Sequence, residues 1–190
     1  MSLINMFLKE LEQEAVTTRK MLKIIPDDKH DWKPHPKSMS VRALATHIAE
    51  VPGWIGGAFT MDVLDMAVTP YTPTPINNTS DLMELLEKSI SEAKSQLIEE
   101  NESKLNGRWV MKHGDQIWMD LSKAEVIRHA FSQLIHHRAQ LGVFLRLLDI
   151  PIPGSYGPSA DEKGKEYFLN KEEDFQNFPL FLIKSNQLHP

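Results

Sequence analysis

The sequence predicts an all-α fold, an up-down four-helix bundle. Apolar residues recur at steps of three and four in four long stretches, which is the pattern of helices that bury one face. Proline-rich segments, which cannot continue a helix, separate these stretches. A chain of 190 residues that is 41% hydrophobic and 25% charged is long enough to bury one core. We therefore expect residues 1–190 to form a single domain.

Helices one and two are predicted in the first third of the chain. Helix one runs from Ser2 to Ile25 and is stopped by Pro26, after which the proline-rich stretch 32–38 predicts a loop. Ser40 can cap helix two, which is predicted to continue to Met66 with a kink near Pro52. The aromatic residues of these and the later helices are expected to pack in the core: Trp54, Phe59, Phe131 and Phe144.

Two different connections flank helix three. The proline-spaced segment from Thr69 to Asn78 predicts an extended crossover linker along the bundle, and helix three is predicted from there to about Asn101. Between Gly107 and Leu121, two short apolar groups on either side of His113-Gly114-Asp115 predict a small hairpin or an ordered loop.

Helix four begins with a clear capping signal. Ser122 followed by Glu125 matches a capping box, and the apolar pattern after it continues to about Asp149. Proline residues then force extended chain, so residues from about 150 to 190 are expected to form a tail packed on the bundle.

Composition excludes several classes of function. The chain has no cysteine, which rules out disulfides, zinc-thiolate sites and a catalytic thiol. A net charge of -5 offers no general attraction for nucleic acid, so we expect none as a partner. No apolar run approaches the roughly 20 residues of a membrane span. The first residues lack the pattern of a signal peptide, which predicts a cytoplasmic protein with no membrane partner.

A polar stripe on helix four is the main candidate for chemistry. His129, Gln133 and His137 are spaced by four, so they lie along one side of an otherwise apolar helix. On helix two, His47 lies next to core positions and could approach that stripe. His136 points about 100° away from His137.

Each of these histidines has a structural alternative. An imidazole on an apolar helix is more often hydrogen bonded to a carbonyl or carboxylate than bound to a metal. The histidines of loops and the terminus are expected to be solvated and without a function: His30, His35, His113 and His189. The pair Asp161-Glu162 is expected to be a solvated acidic pair rather than an acceptor near the site.

Several strings, in this order, resemble the DinB family of proteins related to metalloenzymes. They are Trp32-Lys33-Pro34-His35-Pro36-Lys37-Ser38-Met39-Ser40, Leu44-Ala45-Thr46-His47-Ile48-Ala49, His136-His137-Arg138-Ala139-Gln140-Leu141 and Tyr156-Gly157-Pro158-Ser159-Ala160-Asp161-Glu162. The similarity covers about residues 1 to 165. It implies a four-helix bundle, usually a homodimer, with a three-histidine site for a divalent metal.

The resemblance also implies which residues hold the metal. His47 and His137 match two of the three ligand positions, and the third falls on Gln133, four residues before His137. Here the sequence departs from the family pattern, because an amide oxygen is a weaker ligand for zinc or nickel than imidazole. His129 is one turn too far away to replace Gln133, and the segment from Tyr156 to Glu162 is expected to help close the site. Arg138 and Gln140 are expected to orient the helix or its partner.

Two functions follow as hypotheses. In the first, suggested by the resemblance, the protein is a metal-dependent transferase or hydrolase that uses a small-molecule thiol; the thiol must come with a cosubstrate because the chain has no cysteine. In the second, it is a non-catalytic, stress-associated binding or dimerisation module whose metal site is degenerate. Gln133 is the feature that favours the second hypothesis.

Overall fold

Four α-helices dominate the computed structural model, which describes residues 2–162. They are α1 (Leu3–Lys23), α2 (Val41–Thr60), α3 (Thr79–Gln96) and α4 (Lys123–Leu147). Each follows a residue whose side chain accepts a hydrogen bond from the first turn, and these caps are Ser2, Ser40, Asn78 and Ser122. The capping box of Ser122 and Glu125 is present as predicted. A mainly helical fold is therefore confirmed.

A small three-stranded sheet accompanies the helices, and the predicted all-α class included only its hairpin. Strand β1 (Val63–Asp65) pairs in parallel with β2 (Arg108–His113), which pairs antiparallel with β3 (Gln116–Ser122). The predicted hairpin is thus confirmed as β2 and β3. The missed strand is β1, which was expected to be the end of helix two.

Helix α2 ends at Thr60, before the predicted Met66. Two long-range contacts stabilise a different conformation of the residues that follow it. The ammonium group of Lys123 binds the carbonyl oxygens of Ala58 and Met61 at 2.7 and 3.3 Å, so it satisfies carbonyls at the end of α2. The following residues then pair with β2, where Val63 lies opposite Val110. Both contacts join residues more than 45 positions apart, which helical periodicity does not register.

Helix α3 also ends earlier than predicted, at Gln96 rather than near Asn101. The side chain of Asn101 is buried and donates a hydrogen bond to the carbonyl of Gln96 at 2.8 Å. That bond satisfies a carbonyl of the last turn and leads the chain into a 3-10 helix, Glu99–Asn106.

The buried apolar side chains of all four α-helices form one cluster. Helix α2 packs against α3 and α4, and α1 also packs against α3 and α4. At Gly56 a side chain on α2 would come within 3.1 Å of the backbone of α3, so glycine permits this close approach. Phe59 and Phe131 are buried in the core as predicted. Trp54 and Phe144 are only half-buried at its edge. The up-down order of the helices stays a prediction.

Two connecting segments cover the outside of the helices. The linker predicted from Thr69 to Asn78 lies in the connection between β1 and α3, residues 66–78, of which Ala67 to Pro75 are exposed. After α4, extended chain from Pro151 leads to a short 3-10 helix, Ala160–Glu162. The rest of the predicted tail, residues 163–190, lies outside the described residues. Within residues 2–162, no helix is long and apolar enough to span a membrane.

Candidate functional site

The structure brings His47 and His137 together between α2 and α4. Their ring centroids lie 4.6 Å apart and the rings meet edge to face at 81°. Both side chains are half-buried, so they are accessible from one side. Trp54, two turns after His47 on α2, flanks the pair with its ring centroid 5.3 Å from that of His47. The helices that carry these residues pack through their buried apolar faces, and this packing fixes the separation of the two rings.

Gln133 binds His137 directly. Its Oε1 lies 2.8 Å from Nε2 of His137, and Oε1 of Gln140 lies 2.9 Å from Nδ1 on the other side of the same ring. A neutral imidazole donates at one nitrogen and accepts at the other, so one of the two amides must turn its NH2 group to the ring. The Nε2 of Gln133 lies 3.4 Å from Nε2 of His129. The polar stripe of α4 is therefore a continuous hydrogen-bonded row.

His47 is held in the form that can bind a metal. Partial burial lowers its pKa, the nearby His137 lowers it further, and the charge of Glu50 acts in the opposite direction. An imidazole whose pKa lies below the usual value of about 6.5 is neutral at pH 7. Its lone pair is then available to a cation without loss of a proton.

The spacing of these groups fits shared ligation of one cation. Ligands about 2.0–2.2 Å from an ion lie about 3 Å from each other when they are adjacent, and two bound imidazoles have centroids about 4.5–5 Å apart. The observed distances are 2.8 Å between Gln133 and His137 and 4.6 Å between the rings of His47 and His137. The donor set is nevertheless short of strong ligands, since no group of three His, Cys, Asp or Glu within residues 2–162 could hold a metal as placed.

The other histidines of α4 lie at the margin of the pair. His129 is half-buried and contacts Gln133, one turn from His137. His136 is exposed, with its ring centroid 4.9 Å from that of His137. Away from the helices, His35 and His113 are exposed as predicted. His189 lies outside the described residues.

The prediction that His30 is solvated is wrong. Its side chain is 1% exposed, with Nε2 lying 3.4 Å from the hydroxyl of Thr79 at the start of α3. The carbonyl of His30 accepts a hydrogen bond from the amide of Arg42. These contacts fold the loop between α1 and α2 over the end of α3, and they bury a residue that local sequence places in a polar loop.

Glu50 is a residue near the site that the sequence analysis missed. It is half-buried, lies one turn after His47 on α2 and accepts hydrogen bonds from the linker. The hydroxyl of Tyr71 lies 2.6 Å from its Oε2, while the amide and hydroxyl of Thr74 lie 3.0 and 2.7 Å from its Oε1. The spacing of three from His47 was a signal that could have identified it.

A second polar cluster, between α1 and α4, was also missed. Arg138 is 2% exposed and pairs with Glu14, which is 3% exposed, at 2.5 Å. Arg138 also binds the hydroxyl of Thr18 at 3.0 Å and that of Tyr156 at 2.9 Å, while Tyr156 donates to Glu14 at 2.7 Å. Burial and the bond to Glu14 raise the pKa of Tyr156 to about 12. The available signal was that Glu14 and Thr18 interrupt the apolar face of helix one.

The segment from Tyr156 to Glu162 binds this second cluster and the end of α4. Asp161 pairs with Arg146 through two contacts, at 2.9 and 2.5 Å, and accepts the amide of Ile152. These bonds lower the pKa of Asp161 to about 2. The carboxylate of Glu162 accepts backbone amides of the same segment. Asp161 is exposed, as expected of a solvated residue, and Glu162 is half-buried; both carboxylates also organise the segment that follows α4.

Structures of several bacterial proteins are similar to this one. A structure described as a putative member of the DinB family from Exiguobacterium sibiricum is 20% identical, covers 81% of this chain and 97% of its own, and has a TM-score of 0.61. A DinB-like protein, YjoA, from Bacillus subtilis is 18% identical over 79% of this chain and 96% of its own, with a TM-score of 0.60. At this level of identity the likeness concerns the fold.

Sequence comparison extends the likeness along most of the chain. The uncharacterized protein YrdA of Bacillus subtilis is 21% identical over 159 residues, which are 84% of this chain and 91% of that protein. The family model of the DinB family matches residues 1–168. This match includes both histidines of the pair, the buried arginine and the segment after α4. The chain therefore belongs to the DinB family.

Proposed function

We propose that this protein binds a divalent metal ion, zinc or nickel, with His47 and His137 as its strong ligands and Gln133 as a weaker third. The observation that carries the proposal is the edge-to-face contact of the two imidazoles, 4.6 Å between centroids, across the α2–α4 interface. The amide oxygen of Gln133, 2.8 Å from Nε2 of His137, supplies a neutral donor at the same point. The half-buried position leaves one side of the pair open to a substrate.

The chemistry we propose is that of a thiol-dependent transferase or hydrolase. A divalent ion with an open position stabilises a thiolate or hydroxide near neutral pH. His47 contributes the lone pair of its neutral imidazole. Gln140 hydrogen bonds to Nδ1 of His137, so that this ring keeps its orientation. Since the chain has no cysteine, the thiol belongs to a low-molecular-weight cosubstrate.

Elemental analysis tests the metal. Protein purified without an affinity tag and incubated with zinc or nickel should retain close to one ion per chain, and His47→Ala should lose it. His113→Ala, which removes an exposed histidine of the β2–β3 hairpin, is the matched control and should bind like the wild type. Wild-type protein that retains no metal would refute the proposal.

Gln133→His tests where the ion binds. A third imidazole in place of the neutral amide should tighten zinc binding by about tenfold or more. The control is Ser132→His, which adds a histidine at the exposed neighbouring position of α4 and should leave the affinity unchanged. Equal affinities of Gln133→His and the wild type would mean that the ion does not bind between Gln133 and His137.

One observation favours a second candidate, the non-catalytic module with a degenerate site. The hydrogen bond between Gln133 and His137 satisfies the imidazole without any ion, so the row along α4 is complete by itself. Under this alternative, the metal-treated wild type remains empty while Gln133→His gains an ion. Adding glutathione to the Co²⁺-loaded wild type also separates the two, because only the enzyme proposal expects a new thiolate-to-metal absorption band.

We also propose that the protein is a homodimer. Val143 and Leu147 lie four residues apart on the outer side of α4, and each is 60% exposed, which leaves an apolar strip on the surface. Sedimentation at micromolar concentration should give the mass of two chains. The double variant Val143→Glu and Leu147→Glu should sediment as a monomer, and a wild-type monomer would refute the proposal.

A further inference from the structure

The loop between α1 and α2, residues 24–40, is attached to two helices around the imidazole of His30. The carbonyl of His30 accepts the amide of Arg42, in the first turn of α2, at 2.8 Å. Its Nε2 lies 3.4 Å from the hydroxyl of Thr79 at the start of α3. Asp27, three residues before the histidine, accepts the amide of Thr79 at 2.7 Å. The position of this one ring therefore affects how the loop meets both α2 and α3.

The hydrogen bonds of Thr79 determine which nitrogen of the neutral His30 ring carries the hydrogen. The hydroxyl of Thr79 donates its only hydrogen to the carbonyl of Ile25 at 2.6 Å, so toward His30 it is an acceptor. The hydrogen of the ring therefore belongs on Nε2 and the lone pair on Nδ1. Nδ1 is buried and has no hydrogen-bond partner among residues 2–162. A further proton has to bind at this nitrogen.

A proton on Nδ1 is unfavourable while the ring stays in its buried position. The side chain of His30 is 1% exposed, so the proton creates a buried charge and an N–H donor that lacks an acceptor. Burial lowers the pKa of His30, and the charge of Arg42 lowers it further. The closed loop is therefore compatible with the neutral ring only.

The carboxylates around His30 favour an imidazolium that has moved outward. Asp27, Asp31 and Asp81 act to raise the pKa of His30, against the larger effect of burial. One oxygen of Asp27 lies 3.8 Å from Nε2, but none of the three carboxylates accepts from Nδ1. The side chains of Asp27 and Asp31 are 61% and 89% exposed. A protonated ring gains these partners by leaving its buried position for the surface.

We propose that His30 is a proton-operated switch, which in its neutral form holds the loop between α1 and α2 closed and, once protonated on Nδ1, releases the loop from α2 and α3. The release separates the amides of Arg42 and Thr79 from their acceptors in the loop. It also loosens Trp32, whose ring meets that of Phe144 on α4 edge to face at 5.8 Å. Mild acid thus opens this corner of the fold while the four helices stay packed. The switch does not depend on the metal proposed above.

Amide hydrogen exchange of the whole chain tests whether the release is local. Protection factors, which correct for the intrinsic pH dependence of exchange, should fall by about tenfold or more at Arg42 and Thr79 between pH 7.5 and pH 5. The amide of Val110, which binds the carbonyl of Asp62 next to the sheet, is the control and should keep its protection. Unchanged protection at Arg42 and Thr79, or an equal fall at all three amides, would overturn the inference.

His30→Gln tests whether this imidazole drives the opening. The variant carries an amide that does not titrate, so the protection of Arg42 and Thr79 should change by less than about twofold between pH 7.5 and pH 5. His35→Gln, at an exposed position of the same loop, is the matched control and should lose protection like the wild type. A fall in His30→Gln as large as that in the wild type would show that another group opens the loop.

NMR of the ring nitrogens tests the starting state without any substitution. At pH 7.5, His30 of the wild type should be neutral with its hydrogen on Nε2. The midpoint of its titration should lie below the usual value of about 6.5, because burial disfavours the charged ring. A hydrogen on Nδ1, or a midpoint at or above 6.5, would contradict the buried lone pair on which the switch depends.

Discussion

His137 and Arg138 are neighbours in α4, yet they lie in opposite surroundings. His137 is half-buried between α2 and α4, where its ring meets that of His47 and its nitrogen atoms bind two glutamine amides. Arg138 is 2% exposed between α1 and α4, where its guanidinium group is enclosed by Glu14, Thr18 and Tyr156. One step of about 100° around the helix separates the two environments.

The difference shows how one helix supports both a stable core and an accessible site. On the closed side, the charges are paired and nearly excluded from water, so removal of one partner leaves an unpaired charge in the interior. On the open side, the polar groups can exchange their hydrogen bonds for water or a ligand at small cost. The closed side fixes the rotation of α4 about its axis, and this rotation directs His137 toward His47.

The largest expected effect is that of Arg138→Ala. The substitution leaves the carboxylate of Glu14 buried without its partner, which should lower the free energy of unfolding by about 3–5 kcal/mol. Urea denaturation followed by circular dichroism measures the change. Arg146→Ala removes the same type of residue from a more exposed pair with Asp161 and should lower the free energy of unfolding much less. Equal costs would mean that the cluster around Arg138 is not closed.

Tyr156→Phe should have a smaller effect on the same cluster. The hydroxyl group donates to Glu14 at 2.7 Å and accepts from Arg138 at 2.9 Å, so its loss should lower the free energy of unfolding by about 1–2 kcal/mol. Tyr71→Phe is the matched control, since it also removes a hydroxyl that binds a carboxylate, but its acceptor Glu50 is half-buried whereas Glu14 is 3% exposed. Its cost should be below about 0.5 kcal/mol. Equal losses of stability in the two variants would contradict the expected difference between the two hydroxyl groups.

The contrast between closed and open groups extends to the buried imidazole of His30. Burial lowers its pKa, the charge of Arg42 lowers it further, and the carboxylates of Asp27, Asp31 and Asp81 act in the opposite direction. The contribution of the neutral His30 to the free energy of unfolding is complete above the unfolded-state pKa of about 6.5. It is lost as the pH falls from there through the lower folded-state pKa, because the unfolded chain takes up the proton first.

His30→Phe tests this pH dependence with a ring of similar shape. Denaturation between pH 5 and 7.5 should show a smaller loss of stability on acidification in the variant than in the wild type. His35→Phe, at an exposed position of the same loop, should keep the wild-type slope. A wild-type slope in His30→Phe would show that His30 takes up its proton as easily in the folded protein as in the unfolded chain.

The open side was easier to predict from the sequence than the closed side. Gln133 and His137 are spaced by four on α4, and the family resemblance related His47 on α2 to them. The partnership of Glu14 and Arg138 joins residues 124 positions apart, and helical periodicity gives only the face on which each residue lies. For the same reason, the contacts of the exposed Asp161 with Arg146 and the amide of Ile152 could not be predicted from the sequence.

The fold shows the same division between local and distant causes. The four helices and their caps follow from signals within each segment, such as Ser122 with Glu125. Strand β1 depends on β2, about 45 residues later, and Val63 to Met66 continue the apolar pattern of α2. The end of α2 is fixed by Lys123, a lysine that helical patterning assigns to solvent but which is 6% exposed.

The smallest effect is expected for His137→Ala in the metal-free protein. Its ring is half-buried and its hydrogen-bond partners, Gln133 and Gln140, can turn to water, so the free energy of unfolding should change by less than about 1 kcal/mol. The same variant should nevertheless lose Zn²⁺ binding, which would separate its function from its role in stability. A loss of stability comparable to that of Arg138→Ala would show that α4 is closed on both sides. The imidazole pair would then be a structural contact of the core rather than a site for a ligand.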